Sequence, residues 1–282
     1  ELIRFKLQLG FTEQFAMQYQ VPYINKKQTL GVSVTAGYWG NHEVNYGTSM
    51  NKRLFLKNND KYLREELYSR LTFTYRKELY TTQLFELQYI DGTIDDTVAF
   101  ASPDYFKNSN TKMKYFYLLY QFRHNKLDYR SYPLEGFYYG MDIIKYGLGI
   151  LPSEPNTLTA YFSISKNHKI SERFYFANGA YMKLNFFRPP SYSFQRGLGY
   201  DDFVRGYEYY VIDGQHYGLL RSNLKYLLLK SNEENVPLIK NEKFGKFFYS
   251  VYLNTFLDLG YVQDELYSRE NPLTNSLMHG TG

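Results

Sequence analysis

The residues best placed to do chemistry are one arginine and one aspartate. Arg205 stands in Val204-Arg205-Gly206-Tyr207-Glu208, inside a long Arg-, Gly-, Pro- and Tyr-rich stretch at 188–218. Asp258 stands further on, in Phe256-Leu257-Asp258-Leu259-Gly260. A guanidinium is a rigid planar fork that matches a carboxylate. The chemistry open to this pair is fastening, with no covalent bond made or broken. If 256–260 is a strand, Phe256, Asp258 and Gly260 share one face, and an anionic group in a confined channel needs a partner or water. Gly206 lets the backbone turn sharply beside the arginine, and Gly260 leaves room on the wall for a loop. The expected loop motif is Val204, Arg205, Gly206, Tyr207 and Glu208; the expected wall motif is Phe256, Asp258 and Gly260.

Other chemistries have little support. The chain has no cysteine, which excludes disulfides, thiolate metal sites and Cys nucleophiles. His42, His124, His168, His216 and His279 are scattered without metal-ligand spacing. Neither a G-x-S-x-G nucleophile signature nor a P-loop occurs. His124 and Ser131 lie near each other in sequence, but nothing fixes them together as a hydrolase pair. Asp95-Asp96 and Asp201-Asp202 read as solvated loop acids, with a calcium site as the sharper alternative. The net charge of +5 is spread along the chain, with no basic cluster to grip nucleic acid. The chain is therefore expected to have no cofactor, no metal and no catalytic residue, and not to be an enzyme.

The elements that must position Arg205 and Asp258 show in a period of two. Phe15, Met17, Tyr19, Val21 and Tyr23 alternate with Gln14, Ala16, Gln18 and Gln20. The same alternation recurs at 32–38, 66–76, 85–89, 137–143, 158–165, 173–186 and 249–259. The longer of these runs, at 14–23, 66–76, 173–186 and 249–259, have the length of a tilted strand that crosses hydrocarbon, about 9–11 residues or more; soluble strands are nearer 5–6. Aromatics make up 20% of the 282 residues, with 32 Tyr and 22 Phe. Rings with a polar tip suit a surface between lipid and water. Mean hydropathy is −0.50 and no apolar stretch suits a spanning helix, but a barrel shows lipid only every second residue. Trp39, the lone tryptophan, is read as an interface anchor.

Short polar connections (Asn25-Lys26-Lys27, Lys77-Glu78, Asn167-His168-Lys169) alternate with long ones at 91–112, 150–156 and 188–218. Short turns on one rim and long loops on the other are the pattern of an outer-membrane barrel. The fold class is all-β: an antiparallel transmembrane β-barrel of about twelve strands, including strands at 46–58 and 112–123. Residues 1–282 read as one domain.

With both motifs on such a pattern, the sequence resembles the BamA/TamA superfamily of outer-membrane assembly factors and two-partner-secretion transporters. Its signature is V-R-G-[FY] in the sixth extracellular loop, paired with F-x-D-x-G in a later strand. The resemblance is specific over 194–262 and architectural before that. It implies a sixteen-stranded barrel, preceded by periplasmic domains, with a weak seam through which client strands enter the membrane. Against that pattern, this chain is expected to be a barrel fragment without periplasmic domains and closing strands, ending in a loop at 279–282, with open edges near Glu1 and Tyr261. The family often has a glutamate on the strand after the loop that also meets the arginine. Lys225 stands there, so Asp258 is expected to carry the contact alone or with help from Glu208, and Lys225 to compete for Asp258. The implied function is insertion or translocation of proteins in the bacterial outer membrane. The implied partners are the lipid bilayer, unfolded outer-membrane or secreted clients, and accessory lipoproteins. The alternative is a porin-like channel for small solutes.

Overall fold

The computed structural model describes residues 1–187, 191–235, 246–266 and 270–282, with side chains described except at 231–235 and 246–248. The alternating runs become strands: Leu2–Gln8 (β1), Thr12–Val21 (β2), Leu30–Asn41 (β3), Glu43–Ser49 (β4), Lys52–Lys57 (β5), Arg64–Tyr75 (β6), Thr81–Ile94 (β7), Lys112–Asn125 (β8), Gly136–Tyr146 (β9), Thr157–Lys169 (β10), Phe174–Asn185 (β11), His216–Asn235 (β12), Lys246–Gln263 (β13) and Leu277–Thr281 (β14). Twelve of them form one antiparallel sheet in the order β1-β2-β3-β6-β7-β8-β9-β10-β11-β12-β13-β14. Among the described residues no ladder joins β1 to β14. No helix among them is long and apolar enough to cross a membrane.

Alternation sorts the side chains. Phe73, Phe162, Met182 and Leu253 lie exposed on the outer face, while Thr72, Gln88 and Lys183 are buried on the inner one. Tyr89 is half-buried outside against Phe116, and Ser163 half-buried inside; Asn254, on the inner face with Asp258, is exposed. The outer apolar band is far larger than a monomeric soluble protein leaves in water, and it suits lipid. Trp39 departs from its expected place. Val34, Ala36 and Tyr38 take the outer side, so residue 39 points inward, where its indole donates to Glu66 Oε1 at 3.3 Å.

Long and short connections alternate as expected, although β10 runs through Lys169 and its turn comes at 170–173. The strand expected at 46–58 is not a wall strand. It lies in the hairpin β4–β5, a separate two-stranded sheet on the long-loop side. Met50 and Asn51 turn it with φ of 50° and 56°, the two-residue geometry whose twist suits a hairpin. Its Val44 packs with Leu63, Ile94, Val98, Ala99, Tyr105 and Phe106, an apolar roof that includes the helix Asp96–Ala101 (α1).

The hairpin also shows that the sheet curls. Met50 N–H donates to Glu270 O at 2.9 Å, and Asn51 N–H to Asn271 Oδ1 at 2.8 Å. Asn51 Oδ1 accepts from Leu273 N–H at 2.9 Å. Along the wall β3 and β13 are eight strand spacings apart, about 38 Å if the sheet were flat. The seven residues of β4 reach about 23 Å. A strongly curved wall removes the difference. The end of the chain also differs from the expected loop: Leu277–Thr281 is a strand whose Gly280 pairs with Asp258, so β13 is not an edge near Tyr261.

Candidate functional site

The long connection after β11 leaves the rim and folds into the space inside the curved wall. Its legs pair at Leu198 and Ile212, with Ile212 N–H donating to Leu198 O at 2.8 Å, and its tip carries 204–210. Leu198, Val204 and Ile212 from the loop pack against Tyr217, Leu219, Val262 and Met278 from β12, β13 and β14. Residues 188–190, the start of the stretch singled out in the sequence, lie outside the described residues.

At the tip, Arg205 meets Asp258. Arg205 Nε donates to Asp258 Oδ2 at 2.7 Å, Nη2 donates to Oδ1, and the Arg205 backbone N–H reaches Oδ2 at 3.1 Å. Asp258 is 0% exposed, so this carboxylate depends on its partners rather than on water. The guanidinium also lies 3.8 Å from the centroid of the Phe256 ring, a cation–π contact within the same wall motif. Gly206 has φ of 95°, a conformation that favours glycine, and open space around it; backbone geometry, not crowding, requires it. Gly260 is required by crowding: a Cβ there would stand 2.3 Å from Val204 Cγ2.

Glu208 and Lys225 do not take their expected roles. Glu208 Oε1 accepts from Gly206 N–H at 3.0 Å and shapes the turn; that bond holds its carboxyl below the usual range. Lys225 pairs in register with Asn254, while Asp258 pairs with Arg221, so Lys225 lies four positions along β12 from the residue opposite Asp258. Its Nζ donates instead to Pro133 O at 2.7 Å. The second acceptor for Arg205 is Asn223, whose Oδ1 takes Nη1 at 2.7 Å. Arg221, directly across from Asp258, donates to Phe203 O.

Several residues that hold the loop were not singled out in the sequence. Lys183 of β11, 0% exposed, donates to the carbonyls of Arg196 at 2.6 Å, Gly214 at 3.2 Å and Phe194 at 3.5 Å, which join both legs of the loop to the wall. Asp213 accepts from Thr48 Oγ1 at 2.5 Å, Tyr200 OH at 2.6 Å and Tyr192 OH at 3.2 Å, tying the loop to the hairpin β4–β5. Burial pushes the Asp213 carboxyl up, against the three hydroxyls that favour its charged form. Burial first, and then the charge of Asp213, push the Tyr192 and Tyr200 hydroxyls up as well. Gly280 of β14 completes the seat: a Cβ there would lie 2.0 Å from Arg205 O. The signal was present in Gly280-Thr281-Gly282, where two glycines stand two positions apart on one face.

The paired acids are not simply solvated. Asp95 caps α1 by accepting from Thr97 N–H at 3.0 Å and pairs with Lys61 at 2.7 Å. Asp202 faces Arg221 at 3.7 Å.

No protein-family model and no curated protein matches this sequence. Solved structures do. The chain superposes on BamA from Haemophilus ducreyi lacking POTRA domains 1–3 with a TM-score of 0.67 at 12% identity, over 96% of this chain and 55% of that one. It superposes on CdiB from Escherichia coli with a TM-score of 0.51 at 14% identity, over 96% of this chain and 45% of that one. The chain thus shares its fold with the β-barrel regions of BamA and CdiB, and it spans about half the length of the structures it matches.

Proposed function

We propose that this chain is the barrel of an outer-membrane protein insertion or translocation factor, which works by binding and gated opening without covalent chemistry or a cofactor. The observation that carries the reading is the loop inside the wall, with Arg205 on the buried Asp258 and Val204 seated over Gly260. A passive solute channel gains nothing from filling its lumen with an apolar-cored loop, whereas a gated factor needs a defined closed state. The exposed apolar band is the surface offered to lipid; long loops face out of the cell and short turns face the periplasm. Unfolded outer-membrane or secreted proteins are the proposed clients, with accessory lipoproteins as further partners. Both edges of the sheet, β1 and β14, must be paired in lipid. We therefore read the twelve strands as the greater part of a larger closed barrel; client-handling periplasmic domains belong to the same proposal on the resemblance of the two motifs alone.

The test is insertion of an unfolded β-barrel client into liposomes that hold the full-length protein. Arg205→Ala should slow insertion with the barrel still folded. A wild-type protein that leaves client insertion at the rate of empty liposomes, yet conducts small ions steadily, would sink this reading in favour of the channel.

A further inference from the structure

The lumen has a second mouth, at the short-turn end, where the described connection at 126–135 is ten residues long. Residues 126–135 join β8 to β9. Their base is closed by Lys126 N–H on Phe137 O at 2.9 Å and Asp128 N–H on Glu135 O at 3.1 Å. Gly136 makes that base possible: with φ of 105°, it leaves room where a Cβ would stand 2.1 Å from Lys126 O. Asp128 Oδ1 accepts from Tyr129 N–H at 2.8 Å and Leu134 N–H at 3.0 Å, so one carboxylate shapes the tip.

The tip does not rest on the strands it joins. Pro133 O accepts from Lys225 Nζ of β12 at 2.7 Å, and the same ammonium lies 3.9 Å from the centroid of the Tyr132 ring. The Tyr132 ring also meets Tyr252 of β13 at 5.5 Å, tilted by 46°, and Tyr252 meets Tyr175 of β11 at 6.1 Å. From β9 to β12 is three strand spacings and to β13 four, about 14–19 Å around the wall. A segment that begins at β8 and lands on β12 and β13 crosses the mouth as a chord. Between it and the wall lies a cavity of ≈ 630 Å³, lined by Leu127, Arg130 and Pro133 on one side and Arg123, Tyr138 and Tyr181 on the other.

We infer that residues 126–135 are a strap that gates the short-turn mouth, and that Lys225 is the residue that positions it shut. The inference rests on the barrel reading above, and it gives a role to the lysine that stands where the related pattern has an acid. An acid at 225 would meet a carbonyl and the face of a ring, both electron-rich; an ammonium satisfies both.

The strap carries Arg130, a trypsin site in its exposed middle. In the full-length protein in detergent micelles, Lys225→Ala should raise cleavage after Arg130 by about tenfold or more, since a charge-assisted bond and a cation–π contact are lost together. Lys225→Arg and Tyr132→Phe should stay near wild type. In planar bilayers Lys225→Ala should conduct more often than wild type. With any cysteines outside this chain replaced, Tyr132→Cys with Tyr252→Cys, joined by a short bifunctional thiol reagent, should restore protection of Arg130 and remove the added conductance in the Lys225→Ala background. Unchanged cleavage in Lys225→Ala, with strands still protease-resistant, overturns the strap while leaving the barrel standing. Strands cut throughout, or no insertion into lipid by wild type, overturns the barrel reading and the strap with it.

Discussion

Arg205→Ala removes two side-chain donors from Asp258 and one from Asn223, and it leaves a carboxylate of 0% exposure with only the backbone N–H at 3.1 Å. Breaking a buried pair in this way costs about 3–5 kcal/mol, because the remaining charge is uncompensated. At about 1.4 kcal/mol per decade, the released loop should gain roughly a hundred- to a few-thousand-fold in population, toward the lower end because the backbone bond survives. Asp258→Ala should cost less: the guanidinium keeps Asn223 and the Phe256 ring, and its side chain is 25% exposed. Arg205→Lys should rescue only in part, since an ammonium lacks the fork that serves Asp258 and Asn223 together. The assay is amide hydrogen exchange of the loop tip in liposomes, read at Tyr207 and Tyr210, whose N–H groups bond to Val204 O at 2.9 Å and Tyr207 O at 3.0 Å. Exchange through local opening follows the open population directly. The double mutant should fall well short of the sum of the singles. Additive effects, or single mutants that exchange like wild type, would refute the pairing as the loop's fastening.

Gly260→Ala puts a methyl 2.3 Å from Val204 Cγ2 and should destabilise the closed loop by about 1–3 kcal/mol, with Val204→Ala restoring part of the loss in the same exchange assay. Phe162→Arg, at the middle of β10 on the outer face, should cost about 2–4 kcal/mol in urea-monitored folding into liposomes, and the inward Ser165→Arg far less; equal costs would contradict the assigned faces. Asp95 is held at about 2, below its ordinary 3.8, first by its bond to Lys61 and then by those to Thr97. A depressed carboxyl stabilises fully above its ordinary value and loses that contribution as pH falls through about 2, so exchange protection of Val98 and Ala99 in α1 should fade between pH 4 and 2. Asp95→Asn should flatten that dependence.

The alternation told which residues share a face, and it did so for most of the wall. Phe162 against Ser163 and Met182 against Lys183 follow from a period of two and nothing else. The same period could not tell a wall strand from a hairpin that lies apart, which is why 46–58 was expected in the sheet; only the partners of Val44 above the rim decide it. Nor does a period of two fix height along the barrel axis. Lys225 and Asn223 point the same way, yet the register Arg221↔Asp258 brings Asn223 to Arg205 and sends Lys225 toward the opposite mouth. The two motifs were legible because V-R-G-Y and F-x-D-x-G match a known pattern in the right order; glycine and charge alone recur in many strands, as at Gly37, Gly140, Arg70 and Asp142, and would not have singled them out. Lys183 and Asp213 were not, because their partners are backbone carbonyls and tyrosines drawn from other connections, and such partners leave no spacing to read.

The nature of the fastenings bears on how the loop can leave. Apolar packing of Leu198, Val204 and Ile212 gives the closed state its shape, and three charged side chains fasten it: Lys183 of β11 holds both legs, Arg205 grips Asp258 of β13, and Asp213 accepts from Thr48 of the hairpin beside the wall. Replacing a buried pair with apolar residues of similar volume is often as stable or more so. A polar lumen changes the balance during release, because a displaced guanidinium and carboxylate recover hydration that a dry core would deny them. The closed state is thus held strongly by geometry and left at a lower cost than an apolar seal of the same stability. The three anchors come from separate elements, so a perturbation at one strand weakens one of them while the other two keep the loop in register. A distortion of β13, such as the proposed clients would cause, loosens Arg205 first, since its partner Asp258 lies on that strand beside the short β14, and Lys183, two strands away on β11, last.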